Sequence, residues 1–486
     1  MREFWIPELI IVIFYLLNIL QSPVRRLWNL GGLVWLPPIA LLLSIGFFPA
    51  YGFRPECVPL LVFGIIFNFF NLSRLTAGRR GRQNAGIFVQ PPLFTLISGV
   101  LLAFVLAVAL GFSPTEDTAL SSGVQNLTIR DETRNRDYFL RIYGDIDNPG
   151  GLSRPLLLMI PPSVGSQPVV DKLCLALEAR GFTVISYARR GFDAPAIEGS
   201  AGRASYISPF EIFRRFWFLD RGTRSLKANE SGKALEQGRK EDVEFLLSYL
   251  EKDPRFRSPD LPLFLAGHEA GGSALILLAG SPGFTSRNPR VKGIIAIESF
   301  LWTAYEVVEP VEGFLPSTPG FRGRVERSWI KFIRWFARLK PKELAPAVGA
   351  AALPAPELPL LLILSDRSGG EKYREGAYKA ILDIFDRMQK AALLVSADGA
   401  GPLDFSGFPH YYPLVRALYP GVGNTFWNNG DFSGGGASLM ADFASLILAA
   451  PMAAPNTLAP GKIPAQGLHT ARRAWNLADL RCIVDL

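Results

Sequence analysis

Residues 261–280 begin as an apolar run, end that run in Gly267-His268-Glu269-Ala270-Gly271-Gly272, and pass without a loop into a helix of small and apolar residues. Few arrangements permit such a turn. A chain that reverses this sharply from strand to helix holds its central residue strained and exposed, and its neighbours must be small so that helix and strand end can touch. This is the layout of a nucleophile elbow, written G-x-S-x-G where it carries a serine. Here the glycines Gly267, Gly271 and Gly272 are present, and Glu269 stands in the central place.

The flanking sequence sets this turn in an alternating pattern. Residues 155–161 are a buried apolar strand, 171–180 a helix and 182–187 a second strand, after which Ala188 and Arg189 open a loop through Arg190-Gly191-Phe192-Asp193. A helix over 239–251 leads into the elbow strand, and 291–298, 358–364 and 392–396 follow as strands. Residues 126–131 and 137–143 alternate like a pair of strands ahead of them. Strands alternating with helices imply a mostly parallel sheet covered on both faces. The element order, the Arg190-Gly191-Phe192-Asp193 turn and the elbow together resemble the α/β-hydrolase superfamily over roughly residues 125–450.

That resemblance implies a nucleophile, an acid after a later strand and a histidine after the last strand. Glu269 falls at the nucleophile place and Asp366 at the acid place, whereas Pro402 stands where the histidine belongs. The chain has three histidines: His268 lies in the elbow, His469 in the tail, and His410 eight residues beyond the expected place. The tentative catalytic set is therefore Glu269, Asp366 and His410. Oxyanion donors fall to the backbone of Ala270 and of Ser163 or Val164, because Pro161 and Pro162 have no amide hydrogen. A carboxylate can attack an electrophilic carbon, but the resulting ester needs a general base for hydrolysis.

The 486 residues are 49% hydrophobic with mean hydropathy +0.21, and the excess is local. Residues 1–112 hold eight arginines, three glutamates, no lysine and no aspartate. Among them lie apolar stretches at 4–20, 33–48, 58–72 and 93–112, against the roughly 20 residues a bilayer crossing needs. They read as four membrane helices, or as two or three if the short third stretch and the Pro37-Pro38 stretch are discounted. Arg25 and Arg26 fall in the first connection, and Arg74, Arg79, Arg80 and Arg82 in the third, against Arg54 in the second. The positive-inside rule then makes the first and third connections cytoplasmic and the large C-terminal domain extracytoplasmic.

Of the net charge of +8, +5 belongs to residues 1–112 (eight arginines minus three acids), so the basic excess reads as topology rather than nucleic-acid binding. Cys57, Cys174 and Cys482 are too scattered for a disulfide framework, and no spacing suggests a metal or cofactor site. Residues 113–125 form a linker, cap insertions are expected near 194–235 and 300–357, and an Ala/Pro-rich tail over 451–486 ends in a short helix at 470–480. The second insertion, with Trp302, Trp329 and Trp335 among arginines, is expected as an amphipathic cap helix. The expected protein is a membrane-anchored α/β-hydrolase-like chain with a degenerate catalytic set, acting as a binding or interaction module in which a cleft for a small-molecule or lipid ligand can be retained. The alternative is a hydrolase using Glu269 on an ester, epoxide or alkyl substrate.

Overall fold

The computed structural model describes residues 6–27, 30–51, 57–79, 91–112, 124–146, 154–162, 167–193, 196–198, 203–205, 224–258, 260–299, 301, 305–309, 343–346, 353–365, 379–388, 390, 392–397, 431–449 and 480–483. They fall into two compact units, one built on the N-terminal helices and one on the sheet.

The helical unit contains α1 (Ile6–Leu20), α2 (Leu36–Tyr51), α3 (Cys57–Arg79) and α4 (Pro92–Phe112), with short 3-10 turns at Arg25–Leu27 and Gly31–Trp35 between the first two. Pro37-Pro38, Pro59 and Pro92 all sit in first turns, where a missing amide hydrogen costs a helix nothing. The interior is aromatic and aliphatic around Tyr15, whose ring meets Phe63 edge-on at 5.1 Å. Beside this core lies a polar knot. Arg74 donates to the side-chain oxygens of Asn71 at 2.9 Å, Gln21 at 2.9 Å and Asn18 at 3.2 Å. Asn18, Gln21 and Asn71 in turn donate to the carbonyls of Leu33, Leu30 and Val34 in the connection between α1 and α2.

This corrects the sequence-based placement of Arg74 in a connection: α3 runs on to Arg79, and Arg74 is a buried residue of that helix. The three amide side chains add donors to carbonyls of this connection, and the forked cation ties the amide oxygens together. Among the described residues, Pro92–Leu110 is the one helix long and apolar enough to cross a membrane; the other apolar stretches of this unit are shorter.

In the second unit β1 (Val124–Asp131) and β2 (Arg136–Tyr143) form an antiparallel hairpin. Then follow β3 (Leu156–Ile160), α5 (Gln167–Glu178), β4 (Thr183–Arg189), β5 (Ala196–Glu198), β6 (Arg203–Ser205), α6 (Arg224–Lys252), β7 (Leu263–His268) and α7 (Ala270–Ala279). The chain continues through α8 (Phe284–Arg287), β8 (Val291–Ile297), β9 (Tyr305–Glu309), β10 (Glu343–Pro346), β11 (Leu360–Ser365), α9 (Lys379–Asp386), β12 (Ala392–Ala397), α10 (Asp431–Ala449) and β13 (Leu480–Ile483). The nine-stranded sheet has the order β1-β2-β4-β3-β7-β8-β11-β12-β13. From β4 to β12 neighbouring strands are parallel, and the flanking pairs are antiparallel.

Side-chain alternation divides the interior into two layers. Leu156, Leu158 and Ile160 of β3 join Val243 and Leu246 of α6 and Leu275 of α7 on one face. Leu157 and Met159 join Val170 and Leu173 of α5 and Met440 and Phe443 of α10 on the other. Strands buried on both sides explain the continuous apolar runs.

Several boundaries differ from the sequence reading. Ala188 and Arg189 belong to β4, not to a loop, because β2 pairs antiparallel along them, with Phe139 opposite Ala188 and Tyr138 opposite Arg189. The helix before the elbow begins at Arg224, inside the expected first insertion, and α10 was not anticipated. Leu480, expected as the end of a helix, starts a strand that covers the edge of β12; residues 470–479 lie outside the described residues. Within the second insertion β9 and β10 pair antiparallel, while Trp302, Trp329 and Trp335 lie outside the described residues.

Phe264, in the middle of the elbow strand, is fully buried against Phe182 and Gly293. Phe264→Ala should lower stability by about 3–5 kcal/mol in denaturant unfolding, the usual cost of emptying a large core site. A loss under about 1 kcal/mol would mean that the two layers collapse freely around the gap.

Candidate functional site at the strand-to-helix turn

One residue separates β7 from α7. Glu269 has φ 52° and ψ −117°, a left-handed backbone that side chains rarely adopt and that costs about 1–3 kcal/mol. Its amide donates to the Ile297 carbonyl of β8 at 2.7 Å, and its own carbonyl accepts from the amide and the hydroxyl of Ser273, each at 3.0 Å. Both ends of the turn are thus fixed by backbone hydrogen bonds, and the half-buried Glu269 side chain starts from a position that sheet and helix together impose.

The glycines explain how the helix can lie so close. A Cβ on Gly267 would stand 2.5 Å from the backbone of Gly271 and Gly272. One on Gly271 would stand 2.7 Å from the Ile160 carbonyl and 2.8 Å from the Pro161 carbonyl at the end of β3. One on Gly272 would collide with the Ser299 hydroxyl and lie 2.8 Å from the Gly267 carbonyl. Ala270 begins the helix and is buried.

A second carboxylate stands next door. Glu298 follows β8 as Glu269 follows β7; His268 and Ile297 are paired in register, and Glu298 also has positive φ, 49°. Its amide donates to the Ile363 carbonyl of β11 at 2.8 Å, and its side chain is buried. Two adjacent parallel strands therefore end in glutamates at the carboxyl edge of the sheet, where open α/β sheets bind their ligands.

Beside the elbow lies a network that sequence reasoning missed. Arg239 of α6, with no exposed surface, donates from Nη2 to Asp193 Oδ1 at 2.6 Å and to the Pro162 carbonyl at 2.9 Å. From Nη1 it donates to Asp193 Oδ2 at 3.0 Å and to the Tyr187 hydroxyl at 3.4 Å. Asp242, one turn along α6, accepts from Arg189 at 3.1 Å and from the Tyr138 hydroxyl at 2.8 Å. Arg189 also stacks on the Phe192 ring at 3.5 Å. Burial pushes the Asp242 carboxyl above its usual range, against the pull of Arg189 and Arg239. The signal was present in the sequence: Arg239 occupies the same helical stripe as Val243, Leu246, Leu247 and Leu250, and an arginine on an apolar stripe needs a buried anion.

Asp366, His410, Ser163, Val164 and Pro402 lie outside the described residues, as does His469. Among the described residues no group of three or more His, Cys, Asp or Glu side chains could hold a metal ion.

Strand order, elbow and helical cover on both faces define an α/β-hydrolase-like fold. A family model described as an N-terminal domain, TP_0976_N, matches residues 2–111. No curated protein matches the chain. Solved structures similar to it include a ferulic acid esterase from Streptomyces cinnamoneus, 13% identical with TM-score 0.38, over 68% of this chain and 90% of that one. A dienelactone hydrolase from Anabaena variabilis is 14% identical with TM-score 0.31, over 67% of this chain and 98% of that one. A dienelactone hydrolase-like promiscuous phosphotriesterase, P91, from metagenomic libraries is 12% identical with TM-score 0.37, over 67% and 99%.

Glu269→Gly should raise the thermal midpoint, since glycine accepts positive φ and about 1 kcal/mol or more of strain is released. Glu269→Ser keeps the strain and should leave the midpoint nearly unchanged, whereas Gly271→Val should lose about 1–3 kcal/mol or more. A greater loss for Glu269→Ser than for Gly271→Val would put the glutamate in a buried ion pair and overturn this account.

Proposed function

We propose that the chain is a membrane-anchored protein whose α/β-hydrolase-like domain binds a small-molecule or lipid ligand at the carboxyl edge of its sheet and does not act as a serine hydrolase. The observation that carries this reading is Glu269 on the strained elbow residue, with Glu298 at the neighbouring strand end. Carboxyl oxygens are hydrogen-bond acceptors, so this edge suits a ligand that presents donors. The elbow position itself carries no hydroxyl for acyl transfer through a serine.

Membrane anchoring has its own support in the distribution of apolar surface. Every exposed large hydrophobic residue among those described, Leu448 apart, lies between Leu9 and Leu110; Leu42, Phe69 and Leu93 are 68–69% exposed. The same unit buries Asn18, Gln21, Asn68, Asn71 and Arg74. Apolar outside and polar inside is the arrangement a lipid solvent favours. With four crossings, Arg25, Arg26, Arg79, Arg80 and Arg82 mark the cytoplasmic side, and the large domain is extracytoplasmic. Reporters fused after Ser113 and within the loop after Arg79 should therefore report opposite sides, and a cytoplasmic signal from the Ser113 fusion would reject this topology.

A second reading is favoured by the strain itself. A glutamate kept where glycine is easier fits a carboxylate nucleophile, with Asp366 and His410 completing the set. Attack on an epoxide carbon would form the ester C–O bond and break the ring C–O bond, the released alkoxide taking a proton from water. The two readings separate in one experiment on the full chain in detergent micelles. Binding without catalysis gives no fluorophosphonate labelling, background hydrolysis of short acyl esters, and no epoxide adduct on the Glu269 peptide by mass spectrometry. An adduct that disappears in Glu269→Gln would replace the first reading with the second.

A further inference from the structure

We infer that the helical unit fits a bilayer whose hydrocarbon layer is about 20–25 Å thick, thinner than the ~30 Å of a typical membrane. The inference rests on the membrane anchoring proposed above and names the kind of membrane. Every charged residue of positions 1–112 lies outside four runs, 9–24, 27–53, 57–73 and 83–112. The first and third are the short ones. Residues 9–24 are bounded by Glu8 and Arg25, and 57–73 by Glu56 and Arg74. Even as unbroken helix these runs would reach only about 24 and 26 Å, at about 1.5 Å per residue.

Side chains tie α1 to α3 near both ends of these runs. At one end Cys57 donates from Sγ to Glu8 Oε1 at 3.1 Å. At the other Arg74 donates to Asn18, Gln21 and Asn71, and Cys57 to Asn71 is about 21 Å along α3. Between the two polar levels the contents are aromatic, with Tyr15 meeting Phe63 at 5.1 Å and Phe67 at 5.8 Å. Glu8 and Arg74 are both buried, and the hydrogen bonds of Arg74 to α1 and α3 hold its guanidinium inside the bundle instead of letting it extend along the helix to the membrane surface. A layer of ~30 Å would therefore enclose ionisable groups that a thinner one leaves at its boundaries. The outward face has the same scale: its exposed large apolar residues run from Leu9 to Leu20 on α1 and from Val62 to Leu72 on α3, about 17 and 15 Å. The apolar part of α4, Pro92–Leu110, is longer at 19 residues, and a helix longer than the layer is accommodated by tilting.

Quenching of tryptophan fluorescence by brominated lipids tests this on the full chain in phosphatidylcholine vesicles, with the acyl chains lengthened stepwise from dimyristoleoyl through dioleoyl to dierucoyl. The relative lipid-binding constant should peak at dimyristoleoyl or dipalmitoleoyl and fall about threefold or more by dierucoyl, the scale of a mismatch of several ångströms. Arg74→Gln extends the third uncharged run to 57–78 while keeping an amide donor in the polar knot, and should move the peak toward longer lipid. A purely structural role for Arg74 would lower stability and leave the peak in place. Should that variant fail to fold, Glu8→Gln, which extends the first run to 4–24, takes its place, and the wild-type profile decides alone if neither folds. A wild-type peak at dioleoyl or longer, equal constants at every length, or an unmoved peak in a folded variant would overturn the inference and leave membrane anchoring standing. Absence of quenching by every brominated lipid would instead remove the anchoring reading, and the inference with it.

Discussion

The contact between the end of β7 and the start of α7 constrains the rest of the sheet domain, because helix and strand meet with no atoms to spare. The turn that produces it strains Glu269 by about 1–3 kcal/mol. Against that stands the burial of Leu275, Ile276 and Leu278 on α7, each worth about 1.5–3 kcal/mol. Helix burial therefore outweighs the strained residue, provided the helix lies close enough to bury those side chains. Gly267, Gly271 and Gly272 secure that closeness by leaving the space that Cβ atoms would occupy. The price is an inflexible corner, which also makes it a good platform for a side chain that must be held still.

The buried charges follow from the same geometry. A sheet whose strands end together exposes carbonyls at its carboxyl edge, and turns containing Pro161 and Pro162 leave some of them without backbone donors. Arg239 supplies donors from a helix instead of from a strand. A guanidinium taken wholly out of water is costly alone, and removing one member of such a pair typically costs about 3–5 kcal/mol. Asp193 at 2.6 Å is its compensation, and Asp242 with Arg189 and Tyr138 extends the pairing across α6, β4 and β2. The network is a local answer to a strand end whose two prolines have no amide hydrogens.

Much of this fold was legible because its strands are buried on both faces and so appear as unbroken apolar runs, as in Leu156–Ile160 and Leu360–Ser365. The elbow was legible from three glycines at fixed offsets. What escaped depends on partners distant in sequence. Ala188 and Arg189 extend β4 only because β2 lies beside them, and Leu480–Ile483 is a strand only because β12 offers an edge. Arg74 looked like a flanking charge, since its acceptors, Asn18 and Gln21, lie more than fifty residues away. Asp366 and His410 carry roles implied by resemblance alone.

The two units apply one rule in opposite directions. In the sheet domain apolar side chains fill two layers, and the polar groups taken inside, Arg239 and Asp193 above all, are paired. In the helical unit large apolar side chains lie outside, while amides and an arginine bond to one another and to the connection carbonyls within. In each, these groups follow the tendency of buried polar side chains to be hydrogen-bonded. Under the proposed membrane anchoring the two units differ in the solvent against which apolar surface is stable, and the same residue type then carries opposite information in each. An exposed leucine in residues 6–112 fits a lipid environment, whereas an arginine on the apolar stripe of α6 marks the backbone that the domain must hold in place beside Glu269.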